Sequence, residues 1–308
     1  AMSAAVGAAA SGVRTMTATS SAGLALMWEI LGCASGLRMP IVMNVVNRTL
    51  SAPLNIHCDH SDSMGAREAG WIQIFSENAQ EVYEHTLLAL RLAEEENILL
   101  PVMVMQDGFV TSHGVQTVQI LPDETARKFI GNFKPKYSLL DYKNPVTVGP
   151  IQMQDYFFET RRQLLEAFSK VPEAYLKVGK ELTKHTGNRY EFFEEYKLSD
   201  AEYAIVVLSS TAGTTKVVVD NLREQGFKVG LLKPKLYRPF PSAAIAESLK
   251  NIKALAVLDR CAAPGQYPPL FSDIKNAFYE AKKKPLLFSY IFGLGGRDIL
   301  ENQIERVF

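Results

Sequence analysis

The feature that most constrains the fold of this chain is its alternation of short apolar runs with amphipathic stretches. Pro40–Val46 and Leu99–Met105 are apolar runs, as expected for strands that are buried on both faces of a sheet. Between them, Glu81–Glu96 places its apolar residues on one helical face. Because strand and helix alternate, the simplest architecture is a parallel sheet with helices on both faces.

A second unit with the same alternation begins at Asp200. Its predicted strands are Ala204–Ser209, Lys228–Leu232, Ala254–Asp259 and Leu286–Phe292, and its predicted helices are Lys216–Gln225, Ser242–Lys250 and Phe271–Lys282. We therefore predict an α/β fold of two doubly wound units, residues 1–121 and 200–308. The connecting region, residues 122–199, is rich in proline, and its spacing predicts helices near Tyr156–Ser169 and Ala174–Thr186.

Charge and hydropathy exclude several classes of protein. Lysine and arginine together number 33, as do aspartate and glutamate, so the net charge is zero. This balance argues against a nucleic-acid partner and favours a subunit of an assembly. No run reaches the ~18 apolar residues of a membrane span, and the alanine-rich opening lacks the basic region of a signal peptide. We expect a cytoplasmic protein with no membrane contact.

The cysteines are too few and too scattered to hold a cluster. Cys33, Cys58 and Cys261 form no C-x-x-C pair, so an iron–sulfur or zinc ligand set cannot come from this chain alone. The segment His57–Asp62 has metal-binding residue types, but its spacing matches no standard zinc pattern, and an N-capping loop is the commoner explanation. We therefore predict no metal site in this chain and expect any cluster on a partner.

Three small-residue turns are candidate binding elements. Ser20–Gly23 precedes a predicted helix and can either cap it or present N–H groups to an anion. Ser209–Thr215 offers the same two possibilities, and Gly293–Asp298 is typical of a sharp turn. None of them matches a nucleotide-binding fingerprint, and no G-x-S-x-G nucleophile motif is present.

Arg48 follows the first buried strand and opens the next loop. Ligands of open α/β sheets bind outside the carboxyl ends of the strands, and a guanidinium there can hold a carboxylate through two hydrogen bonds. The alternative is an arginine that serves only a surface ion pair. Asp107 and His113 follow another buried strand and could line the same edge, whereas we interpret His85 and His185 as structural.

Seven runs, in order and nearly end to end, resemble the alpha subunits of 2-oxoacid:ferredoxin oxidoreductases of the pyruvate:ferredoxin oxidoreductase type. They are Gly12–Met27, Arg38–Arg48, Asn55–Asp62, Gly70–Gln73, Leu100–Phe109, Lys228–Pro241 and Gly293–Ile299. Each run is weak alone, but the ordered set is specific.

The resemblance implies the two units and their cofactors. The first unit is similar to the pyrimidine-binding domain of thiamine-diphosphate enzymes, and the second is similar to the transketolase C-terminal domain. It also implies that the diphosphate and its Mg²⁺ lie on a beta-type subunit, that 4Fe-4S clusters lie on cluster-bearing and gamma-type subunits, and that coenzyme A is a co-substrate. The family's activating glutamate precedes the helix that Ala1 opens, so we expect a segment ahead of Ala1 to be missing from this chain.

Carried over position by position, the resemblance assigns six candidate site residues. Arg48 matches the arginine that holds the substrate carboxylate. The others are Ser20, Ser21 and Gly23 at the pyrimidine side of the cofactor, and Asn55 and Asp59 in the loop near the substrate.

The function that follows is oxidative, reversible decarboxylation of pyruvate to acetyl-CoA and CO2, with electrons passed to ferredoxin. Within the family, branched-chain 2-oxo acids or 2-oxoglutarate are alternative substrates. A non-catalytic scaffold subunit is the alternative from another class, although the presence of Arg48 favours an enzyme. An unrelated nucleotide-binding α/β protein is disfavoured because its phosphate-binding fingerprints are absent.

Overall fold

The computed structural model describes residues 1–308 and contains ten strands in two sheets. In chain order the strands are β1 (Thr15–Thr19), β2 (Ile41–Asn47), β3 (Ile72–Phe75), β4 (Val102–Asp107), β5 (Phe193–Tyr196), β6 (Tyr203–Val207), β7 (Val229–Pro234), β8 (Leu236–Arg238), β9 (Ala254–Asp259) and β10 (Leu286–Ile291). The first sheet has the order β1-β2-β4-β3-β8, and the second has the order β10-β9-β6-β7-β5. All neighbours are parallel except β3 with β8 and β5 with β7. The predicted α/β class is confirmed.

Eleven α-helices accompany the strands. They are α1 (Met2–Ala10), α2 (Ser21–Ala25), α3 (Trp28–Gly36), α4 (Ser61–Gly65), α5 (Ala79–Ala93), α6 (Asp123–Ile130), α7 (Gln154–Thr186), α8 (Thr211–Glu224), α9 (Ser242–Leu249), α10 (Pro269–Ala277) and α11 (Glu301–Glu305). Short 3-10 turns occupy Ala66–Glu68 and Leu294–Gly296. None of the helices has the length and apolarity needed to cross a membrane.

The local sequence explains why helix α5, the longest predicted helix of the first unit, begins where it does. Helix α5 begins after Asn78, whose side chain accepts a hydrogen bond from the Glu81 N–H at 2.9 Å. The Glu81 carboxylate in turn accepts a hydrogen bond from the Glu77 N–H at 2.8 Å. These reciprocal bonds satisfy N–H groups at the helix start that have no helical partner. The apolar face of α5 then packs on the first sheet, in the same core as Val42 and Val104.

The connecting region differs from its prediction. Instead of two helical stretches separated near Pro172, the structure has one helix of 33 residues, α7, with Pro172 inside it. Proline removes one helical hydrogen bond. The helix continues because both sides of Pro172 are anchored, since Val171 and Tyr175 are fully buried in the same core as the face of α5.

Two edge strands connect the units in a way that the sequence did not indicate. Strand β5 comes from the connecting region and pairs antiparallel with β7 in the second sheet. Strand β8 follows β7 directly but pairs antiparallel with β3 in the first sheet. A continuous apolar core also spans both sheets, from Met43 and Phe75 to Leu232 and Val257. The domain limits at residues 121 and 199 stay predictions.

Candidate active site

Arg48 lies at the carboxyl edge of the first sheet, directly after β2. Its neighbour Asn47 is paired in register with Asp107 at the end of β4. The half-buried Arg48 side chain donates from Nε to the Ile56 carbonyl at 2.6 Å and from Nη1 to Ser20 Oγ at 3.3 Å. Nη2 has no protein acceptor, so one arm of the guanidinium is available to an anion at the sheet edge.

Buried Asp62 holds the residues at this edge in place through hydrogen bonds. Its carboxylate is 2% exposed and accepts four hydrogen bonds of 2.7 to 3.0 Å. The donors are the N–H groups of Ser21, Arg48 and Ser63 and the amide of Asn47. Burial raises the pKa of the Asp62 carboxyl, and the hydrogen bonds from Arg48, Asn47, Ser21 and Ser63 act in the opposite direction. One buried group thus fixes both the arginine loop and the serine turn.

The turn Ser20–Gly23 is held in an uncommon conformation. Ser21 has φ +46°, which is left-handed backbone for a residue with a side chain. Its Oγ donates a hydrogen bond to the Thr49 carbonyl. A Cβ at Gly23 would lie 2.5 Å from Thr19 Oγ1, so any larger residue here would require the Thr19 side chain to move. The structure therefore brings Ser20, Ser21 and Gly23 together with Arg48.

Asn55 and Asp59 take different places in the loop that follows Arg48. Asn55 Oδ1 accepts a hydrogen bond from the His57 N–H at 2.7 Å, and Asn55 Nδ2 donates to the Gly295 carbonyl at 3.2 Å. Asp59 is buried, and its Oδ1 accepts hydrogen bonds from the Ser61 N–H at 2.9 Å and the Ser61 hydroxyl at 2.6 Å. Asp59 thus bonds Ser61, the first residue of α4, and makes no hydrogen bond to Arg48.

Asp107 is fully buried and joins the two units. Its carboxylate accepts hydrogen bonds from His60 Nε2 at 2.7 Å, Arg260 Nη1 at 3.1 Å and the Ser210 N–H at 3.2 Å. Burial alone would raise the pKa of Asp107, but His60 and Arg260 hold it well below its usual range. His113, by contrast, is exposed, and its ring stacks on Phe109 at 4.5 Å. Asp107 is therefore enclosed between the units, whereas His113 lies at the surface.

Asp62 and Arg260 were not predicted as site residues. The local signal for Asp62 was its place in the polar segment His57–Asp62. Nothing in the sequence near Arg260 indicates that it reaches Asp107, which lies 153 positions away in the chain.

Two side-chain groups have metal-ligating atoms close together. Cys58, His60 and Asp107 form the first, but burial raises the pKa of the Cys58 thiol, and Arg260 already supplies positive charge to Asp107. Glu77, Glu81 and Glu194 form the second, and the Lys233 ammonium contacts all three at 2.5 to 2.8 Å. In each group a basic side chain supplies positive charge to the carboxylates, Arg260 in the first and Lys233 in the second.

The chain is therefore an α/β protein of two packed units, with a partly unpaired arginine and a strained serine turn at the carboxyl edge of its first sheet. Residues 1–180 match the thiamine-diphosphate-binding family of pyruvate flavodoxin/ferredoxin oxidoreductases, and residues 201–304 match core domain II of pyruvate:ferredoxin oxidoreductase. The chain therefore belongs to the pyruvate:ferredoxin oxidoreductase family. This confirms the predicted family, an alpha-type subunit of an oxidoreductase.

The chain is also similar to subunits of pyruvate synthase and of ketoisovalerate oxidoreductase. The pyruvate synthase subunit PorA of Thermotoga maritima is 52% identical over 308 residues, which are 100% of this chain and 79% of that protein. PorA of Pyrococcus abyssi is 44% identical over 305 residues, covering 99% of this chain and 77% of the relative. The ketoisovalerate oxidoreductase subunit VorA of Pyrococcus abyssi is 39% identical over 308 residues, covering 100% of this chain and 78% of the relative.

Solved structures support the fold. A 2-oxoglutarate:ferredoxin oxidoreductase from Magnetococcus marinus superposes with a TM-score of 0.72 at 20% identity, covering 99% of this chain and 54% of that one. A split-gene transketolase in an inactive beta4 tetramer superposes with a TM-score of 0.57 at 11% identity, covering 99% and 78%. At these identities the likeness is one of fold, and it agrees with the predicted transketolase-type architecture.

Proposed function

We propose that this chain is the alpha-type subunit of a pyruvate:ferredoxin oxidoreductase and that Arg48 holds the carboxylate of pyruvate. The reaction is the reversible conversion of pyruvate and coenzyme A to acetyl-CoA and CO2, with electrons passed to ferredoxin. The observation that carries the proposal is the unpaired Nη2 of Arg48 at the carboxyl edge of β2. Pyruvate is favoured over a branched-chain 2-oxo acid because the PorA relatives are 52% and 44% identical, against 39% for VorA.

In this proposal the serine turn, Ser20–Gly23, lies on the pyrimidine side of a thiamine-diphosphate site. Arg48 Nη1 donates a hydrogen bond to the Ser20 hydroxyl at 3.3 Å, so the serine turn and the arginine lie on the same side of the candidate site. Thiamine diphosphate, when bound, supplies the carbon nucleophile and the electron sink for decarboxylation. The chain's own part is to orient the substrate, because a carboxylate held by Arg48 sets the approach of the 2-oxo carbon. Asp62 keeps both segments in register by bonding the N–H groups of Ser21 and Arg48.

Partner chains supply the other components in this proposal. A beta-type subunit carries the diphosphate and Mg²⁺ site, and cluster-bearing and gamma-type subunits carry the 4Fe-4S centres that pass electrons to ferredoxin. The cysteines support this division, because burial raises the pKa of the Cys58 thiol and raises that of Cys261 to about 12, which disfavours thiolate ligands. Cys33 is exposed and has no second cysteine near it in the sequence.

Steady-state kinetics of Arg48→Ala and Arg48→Lys in the reconstituted complex test the proposal. We expect Arg48→Ala to lower kcat/KM for pyruvate by about thirty- to a thousand-fold, because the charge-assisted pair between the guanidinium and the carboxylate is lost. Arg48→Lys should recover only part of this loss, since an ammonium lacks the planar fork of donors.

Arg14→Ala is a suitable control. Arg14 is also partly exposed and adjoins the first sheet, but it precedes β1 and pairs with Glu94. Its removal should leave kcat/KM unchanged. If Arg48→Ala keeps kcat/KM within about threefold of wild type, Arg48 is a structural arginine and the site assignment fails.

A further inference from the structure

A glycine turn of the second unit is seated on the loop that follows Arg48. The turn, Gly293–Gly296, comes directly after β10 and Phe292. The Gly296 N–H donates to the Cys58 carbonyl at 2.7 Å, and the Gly295 carbonyl accepts from Asn55 Nδ2 at 3.2 Å. Residues 55–58, here called the substrate loop, are thus hydrogen-bonded at both ends to the opposite unit.

The contact has no room for a side chain. A Cβ at Gly296 would lie 2.4 Å from His57 Cβ, and a Cβ at Gly295 would lie 2.7 Å from Asn55 Nδ2. The first contact is the more severe, because His57 Cβ is fixed to the loop backbone, whereas the Asn55 amide can rotate away by giving up its hydrogen bond to the Gly295 carbonyl, which releases that end of the loop. Both glycines also have positive φ, +76° and +63°.

The turn is anchored within its own unit by Arg260. This buried side chain donates from Nε to the Gly293 carbonyl at 3.2 Å and from Nη1 to Asp107 at 3.1 Å. The Arg260 carbonyl accepts a hydrogen bond from the His60 N–H at 2.8 Å. The turn therefore cannot shift freely when the loop presses against it.

The substrate loop in turn orients Arg48. Arg48 Nε donates to the carbonyl of Ile56, the residue between the two glycine contacts. The Thr49 N–H donates to the His57 carbonyl at 3.0 Å, and Thr49 Oγ1 donates to the Asn55 carbonyl at 2.7 Å. Displacing residues 55–58 would therefore move the acceptor that fixes the plane of the guanidinium.

We infer that the Gly293–Gly296 turn is a positioning element for the 2-oxo acid site and acts on Arg48 through the substrate loop. This inference rests on the proposed function. It assigns the second unit a role in substrate binding. This role is one of positioning, because the glycines touch the loop and not the substrate. A methyl group at position 296 should tilt the Arg48 guanidinium out of the plane in which it binds the substrate carboxylate, and so weaken that binding.

The test is the steady-state kinetics of Gly296→Ala in the reconstituted complex, with cofactor content and thermal unfolding measured on the same samples. We expect KM for pyruvate to rise by about tenfold or more while kcat stays within about threefold, because the lost interaction serves binding. Gly265→Ala is the matched control. Gly265 has φ +83° and lies in the same unit, but nothing lies within 4 Å of its Cβ position. It carries the same backbone strain without the contact and should leave KM unchanged.

A double variant separates the steric contact with the substrate loop from a general loss of structure. His57→Gly removes the Cβ that an alanine at position 296 would meet. We therefore expect the KM of the double variant, Gly296→Ala with His57→Gly, to return to within about threefold of that of His57→Gly alone. If Gly296→Ala does not assemble, Gly295→Ala decides the question. An increase in KM of about threefold or more supports the inference, and a smaller change overturns it.

The outcomes also separate this inference from the proposed function. If Arg48→Ala lowers kcat/KM as expected but Gly296→Ala behaves like Gly265→Ala, only the positioning role is wrong. If Arg48→Ala itself has no effect, the substrate assignment is wrong, whatever the glycine variants do. A rise in KM for Gly296→Ala that the double variant does not reverse would overturn the route through the substrate loop.

Discussion

His85 makes the stability of this protein depend on pH in a direction that can be worked out. It lies in α5, is fully buried, and pairs through Nδ1 with Ser76 Oγ at 2.9 Å. Its Nε2 has no hydrogen-bond partner. Burial, reinforced by the charges of Lys235 and Lys233, lowers the pKa of His85 to about 3, although Glu81 acts in the opposite direction.

The sign and size of the effect follow from linkage. In the unfolded chain a histidine has a pKa of ~6.5, so it binds a proton on going from about pH 7 to pH 5, whereas the buried ring stays neutral. The folded state therefore loses stability as pH falls through the unfolded pKa. The single-site expression gives a loss of about 2 kcal/mol between pH 7 and pH 5. A folded-state pKa anywhere below ~4 gives the same loss, since the ring is then neutral at pH 5.

Urea unfolding of the full chain at pH 7 and pH 5, followed by the fluorescence of the buried Trp71, measures this quantity. His85→Leu removes the titrating group, so its free energy of unfolding should fall by about 2 kcal/mol less over that interval than that of wild type. His185→Gln is the control, because His185 is also helical but exposed. Equal pH dependences for wild type and His85→Leu would refute the reasoning.

Further variants test the other buried contacts. Asp62→Asn should lower the free energy of unfolding by about 2 to 4 kcal/mol, because two of four buried donors lose their acceptor. Lys233→Met should cost about 3 kcal/mol at pH 7 and less at low pH, because three glutamates lose the buried ammonium that they share, keep only their pairs with Lys216 and Lys235, and protonate as pH falls. Both are checked by urea unfolding. Gly108→Ala should raise KM for pyruvate in the reconstituted complex, because its Cβ would lie 2.4 Å from the Asn47 carbonyl oxygen and 2.9 Å from Arg48 Cγ and would displace the backbone that carries Arg48.

The parts of the fold that the sequence predicted are those with a strong local pattern. The apolar run Pro40–Val46 became β2, and Glu81–Glu96 became α5 with the same buried face, because burial on a sheet selects residues at fixed spacing. Arg48 was found at the carboxyl edge because the end of a buried strand is visible in the sequence. Its role in holding the substrate stays a prediction.

The unpredicted parts depend on contacts between distant segments. Strand β8 has only three residues, and its place beside β3 is set by the packing of the two units. The pairing of Asp107 with Arg260 spans 153 positions, and neither residue has a local signal for it. The continuity of α7 through Pro172 likewise comes from burial against the first unit, which overrides the local cost of proline.

Charged side chains are buried at the junction of the two units, whereas apolar side chains are exposed near the candidate site. Asp107 with Arg260, and Lys233 with its glutamates, place charge inside the junction of the two units, where pairing offsets the cost of burial. At the rim of the candidate site the pattern is reversed, since Leu26 is 89% exposed and Leu54 is 83% exposed. Leu26 follows the serine turn in the chain and Leu54 precedes the substrate loop, so a partner subunit that packed on both leucines would also close the site over Arg48.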